Sequence, residues 1–368
     1  MATLRKPRAC KFKISSTALG SSGLITFSSG RIRYTDQNTT DYSNRIVMTG
    51  DPSIYIDTGG QVVTFATALT HGAGRLDKSG AGTLILSKNS TYTGQTTVAA
   101  GGTLQFGTGG PEGAWSSSTI NLAGTLIFNR SGSYSVSSDV RDSQSAGGTL
   151  IIKQQSSTDT ITYNGGVSGL GGASNLVQDG PGTLILNQST NTTWTGSTTI
   201  NAGTLQIGNN STNGKLPSGA VTNNGTLRFW RSDALSFSNV VSGTGNVIKN
   251  GSASVTLTGA NTYTGATTLT AGNLVLGHAS ALGNTSSINF AGGTLQYSAS
   301  NTVDYSAIFS TAANQAYKID TGSQNVTLAS ALTSVGGSAW LAVRVKRLAA
   351  RCSRGSRVPR QGRRVGGG

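Results

Sequence analysis

The apolar residues of this chain come in short alternating bursts rather than long runs. Leu84 and Leu86 lie two apart, as do Leu104 and Phe106, Leu184 and Leu186, Leu205 and Ile207, Val255 and Leu257, and Leu274 and Leu276. That spacing places both side chains on one face of a strand. The word Gly-Thr-Leu begins at Gly82, Gly102, Gly124, Gly148, Gly182, Gly203, Gly225 and Gly293, with weaker forms at Ala253 and Gly272. Neighbouring words are mostly roughly 20 residues apart, which suits one coil of a β-helix with two or three short strands joined by turns. The intervals from Gly148 to Gly182 and from Gly225 to Ala253 are longer and require a loop or an unrecognised word.

A longer period contains the shorter one. Residues 76–107, 176–208 and 247–277 align almost end to end. Each reads as an apolar pair, a Gly-rich turn, Thr-Leu-x-Leu or its equivalent, a polar loop, an aromatic-Thr-Gly, a Thr-Thr-aliphatic, and a closing Gly-x-Leu. Length differences fall in the turns and leave the strand words intact, as expected of a solenoid. The pattern predicts an all-β chain whose leucines face a shared bore. Each coil pairs with the coils above and below, about 4.8 Å away, and none can bury its apolar face alone.

Composition agrees. The 368 residues include 52 glycines and 6 prolines, and only 11% are charged. Abundant Gly and β-branched residues disfavour helix. The formal charge of +15 suggests nucleic acid until its distribution is considered. Residues 1–20 carry Arg5, Lys6, Arg8, Lys11 and Lys13 with no acid, residues 340–368 are Arg-rich with no acid, and the body between is near neutral. The expected organisation is a disordered basic segment 1–20, irregular β coils 21–75, the repeat-bearing β-helix 76–296, irregular coils 297–337 and a basic tail 338–368, disordered or frame-shifted. The irregular coils keep β alternation at Ile54-Tyr55-Ile56, Val62–Phe65 and Val326-Thr327-Leu328 but lack the repeat word. Cys10 and Cys352 lie in the basic ends, and their spacing does not decide whether they pair. No run is long and apolar enough for a transmembrane helix, and no signal peptide is recognisable.

The words Lys78–Leu86, Asn89–Gly94, Thr96–Val98 and Gly102–Leu104 resemble the autotransporter-associated β-strand repeat, also called the passenger-associated transport repeat. Gln178–Gly208 and Lys249–Gly277 match likewise, the last with Ser252-Ala253-Ser254 in place of the Pro-Gly-Thr turn. The resemblance implies a right-handed parallel β-helix in a secreted or surface-displayed bacterial protein. Such proteins are stalks or adhesins carried outward by a C-terminal β-barrel at the outer membrane. The repeat has no catalytic residues to carry over. The chain departs from that family in showing neither the barrel's alternating strands nor an export signal. The abrupt Arg-rich composition after Gly337 suggests a truncated or frame-shifted reading frame.

Candidate chemistry is sparse. The 13 acids are scattered, whereas β-helix lyases and hydrolases need clustered carboxylates. Asp77 and Asp179 fit turn positions, and Arg228 and Arg231 near Asp233 fit a surface pair. His71 and His278 are far apart in sequence and lack partners at metal-ligand spacing. The glycine runs Gly107–Gly113 and Gly165–Gly172 lack the strand-to-helix context of phosphate loops. No metal, cofactor or specific nucleic-acid partner is expected. Tyr92, Trp194 and Tyr263 share one repeat position. They form either an outward track for stacking glycans or packing at the coil ends. The expected function is a non-catalytic stalk or adhesin-like passenger meeting surface glycans or components of host or neighbouring cells. The alternative is a β-helix carbohydrate-active enzyme or glycan-binding module.

Overall fold

The computed structural model describes residues 11–13, 19–27, 30–47, 49–70, 72–117, 119–142, 147–169, 174–189 and 194–342. Cys10, Cys352, His71 and most of both basic ends lie outside these residues. The chain is an all-β parallel solenoid of about 13 turns. Among the described residues its strands form four sheets of eight, nine, eight and six strands. Every pairing between named strands is parallel. Among the described residues the only helical turns are single 3-10 turns at Ser43–Arg45 and Ser306–Ile308.

Alternation sets the register. Leu84, Leu104, Leu126, Leu150 and Leu176 stand opposite one another in consecutive strands of the second sheet. In the third sheet Leu184, Leu205, Leu227 and Val247 do the same. All are buried in one continuous core. A register slip of one residue would turn each column out to solvent.

The three long repeats do not stack in line. The first places Arg75–Ser79 and Thr96–Val98 in the first sheet, and Gly82–Leu86 and Gly102–Phe106 in the second. In the second copy Asn175–Gln178 and Thr198–Ile200 lie in the second sheet, and Thr183–Leu186 and Thr204–Ser211 in the third. The third copy has Asn246–Lys249 and Thr267–Leu269 in the third sheet and Val255–Leu257 and Asn273–Leu276 in the fourth. Each copy therefore steps one sheet sideways. Coils between copies use an extra strand, which explains the long intervals in the sequence. Thr160–Tyr163 and Val167–Gly169 fall between Gly148 and Gly182, and Leu235–Phe237 and Val241–Ser242 fall between Gly225 and Ala253.

The coils expected to be irregular repeat each other. Ile32–Ser43 (IRYTDQNTTDYS) corresponds to Leu295–Ser306 (LQYSASNTVDYS), and Ile56–Thr70 (IDTGGQVVTFATALT) to Ile319–Thr333 (IDTGSQNVTLASALT). Their hydrogen bonds match. Asn38 Nδ2 donates to the Tyr42 hydroxyl at 2.8 Å and Asn301 Nδ2 to that of Tyr305 at 2.9 Å. Asp41 accepts from the amides of Ser43 and Ala66, and Asp304 from those of Ser306 and Ala329. Ser43 Oγ accepts from the Thr67 amide and Ser306 Oγ from the Ser330 amide, both at 2.9 Å.

Leu227→Ala, in the middle of a buried column, is expected to cost about 2–5 kcal/mol in urea unfolding. Its outward neighbour Thr226→Ala should cost about 0.5 kcal/mol or less.

The repeat corner as candidate functional site

The residues that distinguish the long repeats sit at two corners, a buried polar side chain where the chain leaves its first strand and a buried aromatic in the loop that leads to its third. Lys78 stands in an inward column with Ile56 below it and Val98 above. Lys249 likewise stands between Phe229 and Leu269, and Gln178 between Ile152 and Ile200. An inward polar side chain must find partners, and these find the carbonyls of the Gly-rich turn. Lys78 Nζ donates to Ser79 O at 3.0 Å and Gly80 O at 2.8 Å. Lys249 Nζ donates to Gly251 O at 2.5 Å and Ala271 O at 3.0 Å. Gln178 Nε2 donates to Gly180 O at 2.9 Å and Gly182 O at 3.3 Å, and pairs with the Gln154 amide as well. Burial pushes both lysines down to about 8, with Asp57 opposing the shift at Lys78.

The glycines of this turn are required by closeness. Gly203 has φ +64°, and a Cβ there would sit 2.3 Å from Gly182 O. Gly272 has φ +62°, and a Cβ would sit 2.5 Å from Gly251 O. Both the backbone angle and the approach of the coil below exclude a side chain.

The shared aromatic residue, in the polar loop, closes the other corner. Tyr92 and Tyr263 have no exposed surface and Trp194 is 4% exposed. An aromatic track for glycans needs open ring faces, and these rings lie inside the fold as coil packing. The Tyr92 hydroxyl shares a 2.7 Å hydrogen bond with Thr96 Oγ1, and that of Tyr263 a 2.8 Å bond with Thr267 Oγ1. Trp194 has no hydroxyl, and its Nε1 donates to Ser174 O instead. Thr198 Oγ1, at the matching position, is left buried without a partner.

Arginines hold the loops, Arg231 in addition to the pair with Asp233 that the sequence suggested. Arg231 donates to the carbonyls of Thr212, Asn213 and Gly214 and pairs through Nε and Nη2 with Asp233 at 2.8 Å. Arg228 takes no part in that pair and reaches Gln206 Oε1 at 3.4 Å. Arg130 clasps Pro111 O and Glu112 O of the Gly107–Gly113 loop and lies over the Tyr134 ring. Asp77 lies within the strand Arg75–Ser79 rather than in a turn. Asp179 accepts from Asn201 Nδ2 at 2.8 Å and lies 3.8 Å from Lys153 Nζ. His278 Nδ1 accepts from the Ser280 amide. Among the described residues no three of His, Cys, Asp and Glu gather as a metal site, and no helix is long and apolar enough to cross a membrane.

The model of the passenger-associated-transport-repeat family matches residues 76–106, 176–207 and 247–276, the three segments whose corners are described above. The chain carries the passenger-associated transport repeat. A curated relative, the "Adhesin BmaC autotransporter" of Brucella suis biovar 1 (strain 1330), is 35% identical over 189 residues. That match covers 51% of this chain and 5% of the adhesin, so the chain spans a small part of the relative's length. No solved structure matches. In this chain each matched segment is two coils held by a buried Lys or Gln at one corner and a buried aromatic at the other.

Two outcomes test this description. Thr96→Val and Thr267→Val strand a tyrosine hydroxyl and should each cost about 1–3 kcal/mol in urea unfolding. Thr198→Val removes a hydroxyl that has no partner and should be neutral or stabilising by about 1 kcal/mol.

The second outcome concerns pH. An unfolded lysine titrates near 10.5. Between about pH 8 and that value the unfolded chain binds more protons than the folded one, so stability rises with pH. Buried Tyr92, Tyr163 and Tyr263 are raised well above their usual value of 10.0. Above pH 10 the unfolded chain therefore loses protons that the fold retains, and stability falls. The urea midpoint should climb from about pH 8 to about pH 10 and then drop. Lys78→Gln with Lys249→Gln, which installs the residue of the second copy, should flatten the climb. An unchanged slope would contradict the assignment.

Proposed function

We propose that the chain is a non-catalytic stalk of a surface-displayed, adhesin-like bacterial passenger. Its role is to hold a rod of coils outside the cell, where surface glycans or components of host or neighbouring cells are met. The observation that carries this reading is the use of the repeat's polar side chains. The buried lysines, Gln178 and the two tyrosine hydroxyls bond to the chain itself and present no reactive group. The adhesin relative supports the surface location and an adhesive role. At about 4.8 Å per coil, about 13 turns reach on the order of 60 Å.

The test supplies the full chain with an export signal and an autotransporter barrel in a bacterial host. The chain should become accessible to external protease and to antibody on intact cells. The purified chain should release no reducing ends from a panel of acidic and neutral polysaccharides. Retention inside the envelope would refute the passenger reading. Polysaccharide cleavage that survives repurification and is absent from a mock preparation would refute the non-catalytic one.

A further inference from the structure

The duplication of the outer coils shows what a bare edge of this solenoid is built to receive. In the first copy Val62–Phe65 is a strand of the second sheet because Thr83–Leu86 lies on it. The incoming segment also bonds outside the ladder. Thr83 N donates to Gln61 O at 2.9 Å, Ser87 N donates to Phe65 O at 3.1 Å, and Ala81 O accepts from Gly60 N at 2.9 Å and from Thr58 Oγ1 at 2.6 Å.

In the second copy the counterpart of Val62–Phe65 is Asn325-Val326-Thr327-Leu328. It keeps the same in-and-out alternation, with Val326 and Leu328 buried and Asn325 and Thr327 exposed. The turn before it is also kept, since Gln324 N donates to Thr321 O as Gln61 N does to Thr58 O. Among the described residues no strand lies on this segment, and it is not part of any sheet. Thr321 Oγ1, the counterpart of the Thr58 hydroxyl that binds the incoming carbonyl, is buried without a partner. An extended edge with free backbone groups and an orphaned donor is prepared for one more strand.

The chain's own sequence is a poor fit for that place. Ser338–Ala342 pairs on Ala316–Asp320 as Arg75–Ser79 pairs on Ser53–Asp57. Continuing the count without a gap sets Lys346, Arg347, Leu348 and Ala349 against the places of Thr83, Leu84, Ile85 and Leu86. A guanidinium would then take the inward place of a fully buried leucine, at a large desolvation cost.

We propose that the edge Gln324–Leu328 binds in trans an extended segment of passenger-repeat sequence from a second chain, added as a parallel strand of Gly-Thr-Leu-x-Leu chemistry. Backbone hydrogen bonds and the Thr321 hydroxyl supply the binding, and two inward leucines over Val326 and Leu328 supply the selectivity.

The experiment is hydrogen–deuterium exchange on the full chain with a synthetic peptide of residues 75–87, RLDKSGAGTLILS. Without peptide the amides of Asn325–Leu328 should exchange freely. Saturating peptide should slow them by about tenfold or more and leave Val62–Phe65 unchanged. A peptide with Leu84→Asp and Leu86→Asp should bind at least about tenfold more weakly. Thr321→Val in the protein should weaken binding by about fivefold while preserving the fold, because it removes a hydroxyl with no partner in the free chain. The proposal fails if the edge is already protected without peptide. It also fails if millimolar peptide leaves the edge unprotected, or if the aspartate peptide binds as well as the native one.

Discussion

A parallel solenoid must satisfy its backbone at every corner while keeping its bore dry. Within strands the ladder to neighbouring coils does this. At corners the chain turns and carbonyls swing out of the ladder, some of them toward the interior. The passenger-associated transport repeat meets that constraint by placing one polar side chain at an inward position, among aliphatic columns, within reach of those carbonyls. Lys78, Gln178 and Lys249 each stand between Ile, Val, Leu or Phe of the coils below and above. Their stems extend the apolar wall, and their heads close the corner. Gln178 achieves with an amide what the lysines achieve with an ammonium, so hydrogen bonding to the turn is the shared requirement and charge is not.

The same constraint accounts for the aromatic loop. Where a coil has two strands, the remaining side of the bore is covered by the loop carrying Tyr92, Trp194 or Tyr263. A large ring fills the volume a third strand would have filled, and its polar atom is tied within the corner. Where a third strand is present, as at Tyr134–Val136 or Leu235–Phe237, the long repeat is absent. The sideways step of successive copies follows, since each intervening stretch of three-stranded coils shifts which side is left for the loop.

Much of this was legible in the sequence because the signals are local. Leucines two apart fix the strand faces, and Gly-Thr-Leu words near one coil length fix the stacking. The orientation of Tyr92, Trp194 and Tyr263 was not, because a fixed repeat position suits an outward ladder as well as an inward plug. The threonine four residues on, at Thr96 and Thr267, was the available sign, since a buried tyrosine needs an oxygen within reach. The kinship of 32–70 with 295–333 was hidden for another reason. It resides in Tyr, Asn, Asp and Ser at loop positions, which hold side-chain-to-backbone bonds, and contains none of the Gly-Thr-Leu words that organise the rest. Arg45, Arg130 and Arg231 act on loop carbonyls some twenty residues away, and only the folded coils bring them together.

What remains on the outside then has to carry any recognition. On the second sheet the outward column Thr83, Thr103, Thr125 and Thr149 runs beside Ile85, Gln105, Ile127 and Ile151. On the first sheet the outward positions include Arg31, Tyr55, Asp77 and Thr97. The first-sheet positions vary from coil to coil, whereas the threonine column of the second sheet repeats and the inward columns stay mostly aliphatic or aromatic, because bore packing couples each coil to two neighbours. A chain built this way can change its surface one coil at a time without disturbing the fold. A scaffold of that kind is suited to contacts spread along a rod, since the inward polar side chains of its repeat are taken up by its own backbone.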